Sequence, residues 1–324
     1  MMTRSLMKDL NTRIILFDGA MGTEIQKGSL QAEDFPDKRE GFNDGLILTK
    51  PELIKTIHRQ YLTSGSDCIE TNTFGSNKYK LQEYGYGEKT VEFNTKAALL
   101  AREVCDEFND KHRYVIGSMG PSGYLPSSND PDLGSKTPDE IKGAYIPQAK
   151  GLVQGGVDAL LIETSQDILE VKMAIEACHE AMDSLSRNVP IIANITLDKY
   201  GKMLLGTPVQ AAYTTVSNMG IDVFGLNCST GPSEMMPSVR WLNEQEDLPI
   251  LVVPNAGMPY NEGGKAIYKM TPLEMAEKLE EFITKFPRVR IIGGCCGTDA
   301  NHIFELRKML ERQKKYQHSG FRKV

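Results

Sequence analysis

The chain has 324 residues, 40% of them hydrophobic and 25% charged, with a formal net charge of −6. That acidic balance argues against general affinity for nucleic acid or anionic membranes, and no stretch approaches the ~18 uninterrupted apolar residues of a membrane span. The opening MMTRSLMKDLNTR lacks the apolar run of a signal peptide, and six cysteines are too few for a secreted disulfide framework, so a reducing cytoplasm is the expected setting.

In chain order, the first apolar segment is IILFD (14–18), followed by a long polar stretch, 19–50, and a helical pattern over 51–64. TSGSDCIETNTF (63–74) then introduces a grammar that recurs in QGGVDALLIETS (154–165) and NMGIDVFGLNCS (218–229). Each has a Gly, an Asp two positions on, an apolar run, and polar residues at its end. Gly suits the position past a helix end, and the apolar run suits a buried parallel strand. The remaining strand patterns are YVIGS (114–118), PIIANITL (190–197), PILVVPN (249–255) and VRIIGG (289–294). Helical patterns separate them at 91–108, 138–154, 168–182, 208–218, 234–243 and 272–285, and a last one, 300–312, follows the final strand. Pro51, Pro138, Pro208 and Pro272 stand where a first-turn proline is tolerated.

Eight strand–helix units predict a single (β/α)8 barrel occupying residues 1–312. The basic stretch 313–324, RQKKYQHSGFRKV without its first residue, reads as a disordered tail or a truncated linker. Connections from helix into strand are terse, whereas several from strand into helix are long: 19–50, 119–137, 198–207 and 256–271. In this fold the face after the strands carries the active site, so the long segments read as mouth-forming loops.

Chemistry gathers on that face. Cys228 ends the sixth strand in GLNCSTGP, and Cys295 and Cys296 follow the eighth in GGCCGT. Only the seventh strand separates them, and the flanking glycines let the backbone bend until neighbouring sulfurs converge. Three thiolates leave one tetrahedral position of a zinc ion open, as in a catalytic site. Such a site carries net negative charge, so it is a poor generator of hydroxide and a good place for a fourth, substrate thiolate. The chemistry indicated is alkyl transfer to a thiol. Cys68, Cys105 and Cys178 fall away from the mouth and read as packing residues.

DGAMGT (18–23), ETNTF (70–74), GLNCSTGP (225–232), PNAG (254–257) and GGCCGT (293–298) together resemble the homocysteine S-methyltransferase family, and within it the homocysteine-binding domain of cobalamin-dependent methionine synthases. The resemblance covers roughly 10–312. It implies zinc held by Cys228, Cys295 and Cys296 and homocysteine as methyl acceptor. It also implies that Asp18 and Glu163 hold the substrate ammonium and that the Gly19 and Ala20 amides receive its carboxylate. Glu70 and Asn72 end the second strand and are placed to line the same pocket. Asn227 is expected to support the Cys228 loop. Asn255 lies between the cysteine-bearing strands, as a displaceable fourth zinc ligand or as a turn residue.

The resemblance further implies a methylcorrinoid donor such as methylcobalamin, carried on another domain or a partner protein. Alternatives remain: the same transfer from S-methylmethionine or a betaine-like donor, a phosphate-binding barrel, or a non-catalytic zinc module. The one Trp, Trp241, falls in a helix away from the mouth, so an aromatic cage for a quaternary ammonium would depend on loop tyrosines such as Tyr124 or Tyr260.

Overall fold

The computed structural model describes residues 5–318 apart from 246 and 264. Helix α1 (Leu6–Leu10) precedes β1 (Ile15–Leu16), after which α2 (Met21–Lys27) and α3 (Leu46–Thr49) sit inside the long first loop. Then come α4 (Pro51–Thr63), β2 (Cys68–Glu70), α5 (Lys78–Glu83), α6 (Thr90–Asp106), β3 (Tyr114–Met119) and α7 (Pro138–Gln154). They are followed by β4 (Ala159–Ser165), α8 (Ile168–Leu185), β5 (Ile191–Ile195), α9 (Val209–Val216), β6 (Val223–Asn227) and α10 (Pro232–Asn243). The chain continues through β7 (Ile250–Val253), a ribbon of β8 (Tyr260–Glu262) and β9 (Lys265–Ile267), α11 (Pro272–Lys285), β10 (Val289–Ile292) and α12 (Ala300–His318).

Eight strands form one parallel sheet in the order β1-β10-β7-β6-β5-β4-β3-β2, the (β/α)8 barrel expected from the sequence. The helices start where local chemistry starts them. Pro51, Pro138, Pro232 and Pro272 occupy the first turn, and Thr137 with Glu140 and Thr271 with Glu274 form reciprocal capping boxes. Pro208 instead caps α9 from outside, in extended conformation, so that helix begins one residue later than expected. The last helix runs through His318, so the first part of the predicted tail 313–324 is helical; residues 319–324 lie outside the described residues.

Two apolar layers hold the barrel. Ile15, Phe17, Tyr114, Ile116, Leu161, Ile192, Leu251 and Ile291 belong to one buried cluster, which Leu6 and Leu10 of α1 join. Arg290 Nε fastens that helix by donating to the Leu10 carbonyl at 2.6 Å. A larger cluster includes alternate strand residues such as Leu160, Ile162 and Phe224, with apolar residues of the surrounding helices.

β1 and β2 share no strand ladder, and side chains lace that seam. Asp67 donates its N–H to the Leu16 carbonyl at 2.7 Å and accepts from the Leu16 N–H at 2.9 Å. Towards the strand ends, the Glu70 N–H donates to Asp18 Oδ2 at 3.0 Å. Asp67 is fully buried and pairs with Arg13 (3.0 Å), Lys111 (2.6 Å) and Arg307 (2.8 Å). Burial alone would raise its pKa, but Arg307, Lys111 and Arg13 together hold the carboxyl below the usual range.

Asp67→Ala leaves those cations around a vacated site and is expected to cost about 3–5 kcal/mol, the scale for breaking a buried ion pair. Because the folded pKa is depressed, Asp67's contribution is present above about pH 4, its unfolded value, and is lost as pH falls through the folded value. Urea unfolding of wild type and variant at pH 7 measures the first claim. A loss under 1 kcal/mol contradicts it.

Candidate metal centre and acid pocket

Polar residues at the C-terminal ends of the strands meet in one cavity of about 480 Å³. Asp18, Gly19 and Ala20 reach it from the turn after β1, Glu70 and Asn72 from β2, Glu163 from β4, and Cys228, Cys295 and Cys296 from the turns after β6 and β10. Every one of these sequence-predicted residues lines it.

The three sulfurs lie within 4.8 Å of one another, with Cys228 Sγ and Cys296 Sγ 3.8 Å apart. Tetrahedral zinc with sulfur at about 2.3 Å places its ligand sulfurs about 3.8 Å apart, so the spacing fits such an ion. The backbone is shaped for this: Cys228 and Ser229 both have φ 61, and Gly297 has φ 79. The Cys228 N–H bonds the Val253 carbonyl at 3.1 Å, and the Cys295 N–H bonds the Pro254 carbonyl at 2.8 Å. The thiols also divide their protons unequally. Hydrogen bonds from Cys228 and Cys295 pull Cys296 down to about 3, while Cys295, donating to both neighbours, is held well above its ordinary value.

Asn255 is buried, does not line the cavity, and sits against the cysteine turn through its neighbours: the Ala256 N–H donates to the Cys296 carbonyl at 3.0 Å. Its Oδ1 has no protein partner among the described residues, while its backbone carbonyl accepts from the Gly257 N–H at 2.7 Å in a tight turn.

Beside the sulfurs lies a group of acids. Asp18 and Glu163 are buried and Glu70 is half-buried. Burial pushes Asp18 up to about 8 and Glu163 to about 7, and burial together with the charges of Glu163 and Asp18 holds Glu70 well above the usual range. Lys80 is the one cationic side chain among the described lining residues, and it is paired with Glu83 at 2.9 Å. This balance suits a cationic ligand group and argues against a phosphate site.

The sequence did not single out the residues that aim these acids. The Ser118 hydroxyl donates to Glu163 Oε1. Asn227 accepts from the Thr164 N–H at 2.9 Å and donates to Thr164 Oγ1 at 2.8 Å and to Glu163 Oε2 at 3.4 Å. That clamp holds Thr164 at φ 56, a left-handed conformation that costs a β-branched residue about 1–3 kcal/mol. The side-chain bonds of Asn227 thus run to Thr164 and Glu163, on the Glu163 side, in place of the Cys228 loop expected of it. Asn194, inside β5, also lines the cavity and leaves its buried Oδ1 without a partner. A carboxamide in an otherwise apolar strand was its signal in the sequence.

One expectation is corrected. The Ala20 N–H donates to Thr298 Oγ1 at 3.2 Å, so it is already engaged. The Gly19 N–H has no acceptor among the described residues and is the amide left to receive a carboxylate. Tyr124 packs on Tyr79 with ring centroids 5.2 Å apart, while Tyr260 is exposed beneath Lys269; neither lines the cavity. Cys68, Cys105 and Cys178 are buried packing residues, as expected.

A family model described as homocysteine S-methyltransferase matches residues 15–310. The chain is 41% identical over 322 residues to the methionine synthase of Mycobacterium tuberculosis, covering 97% of this chain and 26% of that protein. It is 40% identical over 309 residues to the methionine synthase of Mycobacterium leprae, covering 95% and 25%. The chain thus spans about a quarter of the length of these relatives. Among solved structures, the metallated form of the homocysteine methyltransferase MmuM from Escherichia coli matches with a TM-score of 0.74 at 21% identity, covering 93% of this chain and 98% of that one. At that identity the likeness is one of fold.

The geometry predicts one zinc ion per chain in purified protein. Cys228→Ala, Cys295→Ala or Cys296→Ala is expected to lose it while the barrel stays folded, and Cys105→Ala or Cys178→Ala to keep it. Metal analysis with circular dichroism reads both. Full zinc content in a Cys295→Ala/Cys296→Ala double variant contradicts the assignment.

Proposed function

The chain belongs to the homocysteine S-methyltransferase family, and we propose that its barrel binds homocysteine and passes a methyl group to the substrate sulfur, forming methionine. The observation that carries this reading is the meeting of three thiols with the carboxyl groups of Asp18, Glu70 and Glu163 in one cavity. One half suits a metal and a thiol, the other an amino acid's ammonium.

Asp18, Glu163 and Glu70 face the ammonium, with Glu163 held in place by Ser118 and Asn227. The Gly19 N–H takes the substrate carboxylate. Cys228, Cys295 and Cys296 would hold zinc, with the unpartnered Oδ1 of Asn255 as a further candidate donor. When bound, zinc lowers the pKa of a thiol, which is ~8.5 when free, so that the sulfur is a thiolate near pH 7. In the reaction the thiol gives up its proton to solvent. The sulfur then forms its bond to the methyl carbon, and the bond from methyl to donor breaks with its electron pair left on the donor.

A methylcorrinoid held by another domain or protein is the donor this reading favours. The relatives named methionine synthase are about four times the length of this chain, which leaves room in them for such a carrier. Tyr124 and Tyr260, on which a betaine cage would depend, face other partners.

Two measurements test the proposal. The first uses L-2-aminobutyrate, which carries the ammonium and carboxylate of homocysteine without its thiol. Asp18 and Glu163 must be ionised to face the ammonium, and their pKa values are raised to about 8 and 7. Affinity is therefore expected to rise between pH 6 and 8. Asp18→Asn and Glu163→Gln are each expected to weaken binding by about 1.5–3 kcal/mol. Flat affinity across that range with both variants unaffected moves the amino-acid pocket elsewhere.

The second compares methionine formation from homocysteine with methylcobalamin, free or protein-bound, S-methylmethionine and betaine. Zinc-dependent demethylation of methylcobalamin is expected, slow with the free cofactor because proximity is lost. Much faster turnover of S-methylmethionine or betaine overturns the corrinoid donor and leaves the thiol chemistry standing.

A further inference from the structure

The segment between β7 and α11 leaves the barrel mouth at Ala256 and returns at Met270, and its ends are fastened to each other and to the cysteine turn. The Ala256 N–H donates to the Cys296 carbonyl at 3.0 Å, and the Met270 N–H donates to the Ala256 carbonyl at 3.1 Å. Between them, the antiparallel ribbon pairs Tyr260 with Ile267 and Glu262 with Lys265. Tyr260, Asn261 and Glu262 are exposed, so apolar burial gives this ribbon little hold of its own. Where the chain leaves the ribbon it meets the cysteine turn again. The Tyr268 ring packs so close to Gly297 that a Cβ there would fall 2.3 Å from Tyr268 Cγ.

The last fastening comes from another element. His302, buried in the first turn of α12, bonds the Met270 carbonyl through Nε2 at 3.1 Å. A carbonyl only accepts, so Nε2 carries the proton. Nδ1 faces Asp299, 2.8 Å from its Oδ1 and 3.2 Å from its backbone N. Asp299 Oδ1 also accepts the Asn301 and His302 N–H groups at 3.0 and 3.2 Å, which caps the helix and aims the ring. These bonds close a circuit. It runs from Cys296 through Ala256, Met270 and His302 to Asp299, which follows the cysteines on the same turn.

We propose that His302 is a positioning residue of the metal centre, a clasp that ties the order of the ribbon to metal binding at the cysteine turn. The inference rests on the reading of the three cysteines as metal donors. An ion at the sulfurs fixes the turn, and the fixed turn holds its carbonyl against Ala256. Such coupling is reciprocal: the factor by which zinc steadies the ribbon is the factor by which a fastened ribbon strengthens zinc. With no donor at the Met270 carbonyl the circuit opens, and ribbon and turn become independent. Groups that support metal ligands from outside typically change affinity by about 10–100-fold when removed.

Amide exchange with and without zinc tests the clasp, because it reads local opening. In wild type, zinc is expected to slow exchange at Met270 and in β8 and β9 by about tenfold and to leave α7 unchanged. His302→Phe keeps a ring in the site and removes both nitrogens. It is expected to lower zinc affinity about tenfold, measured by chelator competition, and to abolish the effect of zinc on the ribbon. His302→Gln, whose side-chain amide can donate to the Met270 carbonyl, is expected to restore both. Ribbon exchange that ignores zinc in wild type overturns the coupling whatever the variants do. A His302→Phe ribbon that responds to zinc as wild type does, with affinity unchanged, overturns the role of His302 and leaves the metal centre intact. Faster exchange throughout the barrel in His302→Phe also overturns it, since His302 would then serve the whole fold. Wild-type protein that binds no zinc overturns the metal reading and this inference with it.

Discussion

The cavity at the barrel mouth holds more acid than the chain can neutralise, and the rest of the site follows from that excess. Asp18, Glu70, Glu163 and three cysteines share it with one lysine, which is already paired with Glu83. Free of ligands, the protein meets this cost with protons: the carboxyls are pushed towards and above neutrality, and the thiols share theirs unequally. In the proposed complex, a metal ion at the sulfurs and an ammonium at the carboxyls would replace those protons with fixed positive charge. The donors in the walls aim the acids: Ser118 and Asn227 bond Glu163, and the Glu70 N–H bonds Asp18. Substrate and metal complete an arrangement that the fold leaves electrostatically unfinished.

The barrel sustains this at a local cost in backbone strain. Thr164, Cys228 and Ser229 all lie in the left-handed region, at about 1–3 kcal/mol each for residues with side chains. Asn227 ties the strain together, bonding Thr164 with its carboxamide and accepting the Thr196 hydroxyl on its carbonyl at 2.9 Å. It precedes Cys228 and bonds Glu163, so the sulfur and acid halves of the cavity share one support. Asp67, at the other end of β2, closes the seam beside β1 with three cations. Acid opposite cation holds the barrel together at that seam; acid without cation makes the site at the mouth.

Much of this was legible in the sequence because it is local. Gly-x-Asp before an apolar run marked strands, prolines marked helix starts, and two cysteines among glycines marked a turn able to gather sulfur. The long connections fell on one face and named the mouth. What stayed hidden is what distant residues do to one another. Thr298 occupies the Ala20 amide from the far end of the chain, and no local pattern announces that. Helix α1 lies in the opening stretch, where no element was expected, yet Leu6 and Leu10 join the barrel's inner apolar cluster. Helix α5 lies in a segment, 71–90, that carries neither an initial proline nor a long apolar period. Tyr124 and Tyr260 could be placed on mouth loops from the sequence, but the packing of the Tyr268 ring against Gly297 joins residues no local pattern links. Gly297 held part of that answer, since a glycine also marks where another group approaches the backbone.

The central claim is that the sulfur cluster takes the substrate thiol as a thiolate, and proton counting tests it most directly. Calorimetry on zinc-loaded protein near pH 7, in buffers of different ionisation enthalpy, gives the protons released by each ligand. Homocysteine and L-2-aminobutyrate disturb the carboxyl groups alike and differ in the thiol. The account predicts that homocysteine releases about one proton more than L-2-aminobutyrate, because its free thiol is protonated at that pH. Equal release by the two ligands would mean that the thiol keeps its proton in the complex, and the account would be wrong at its centre.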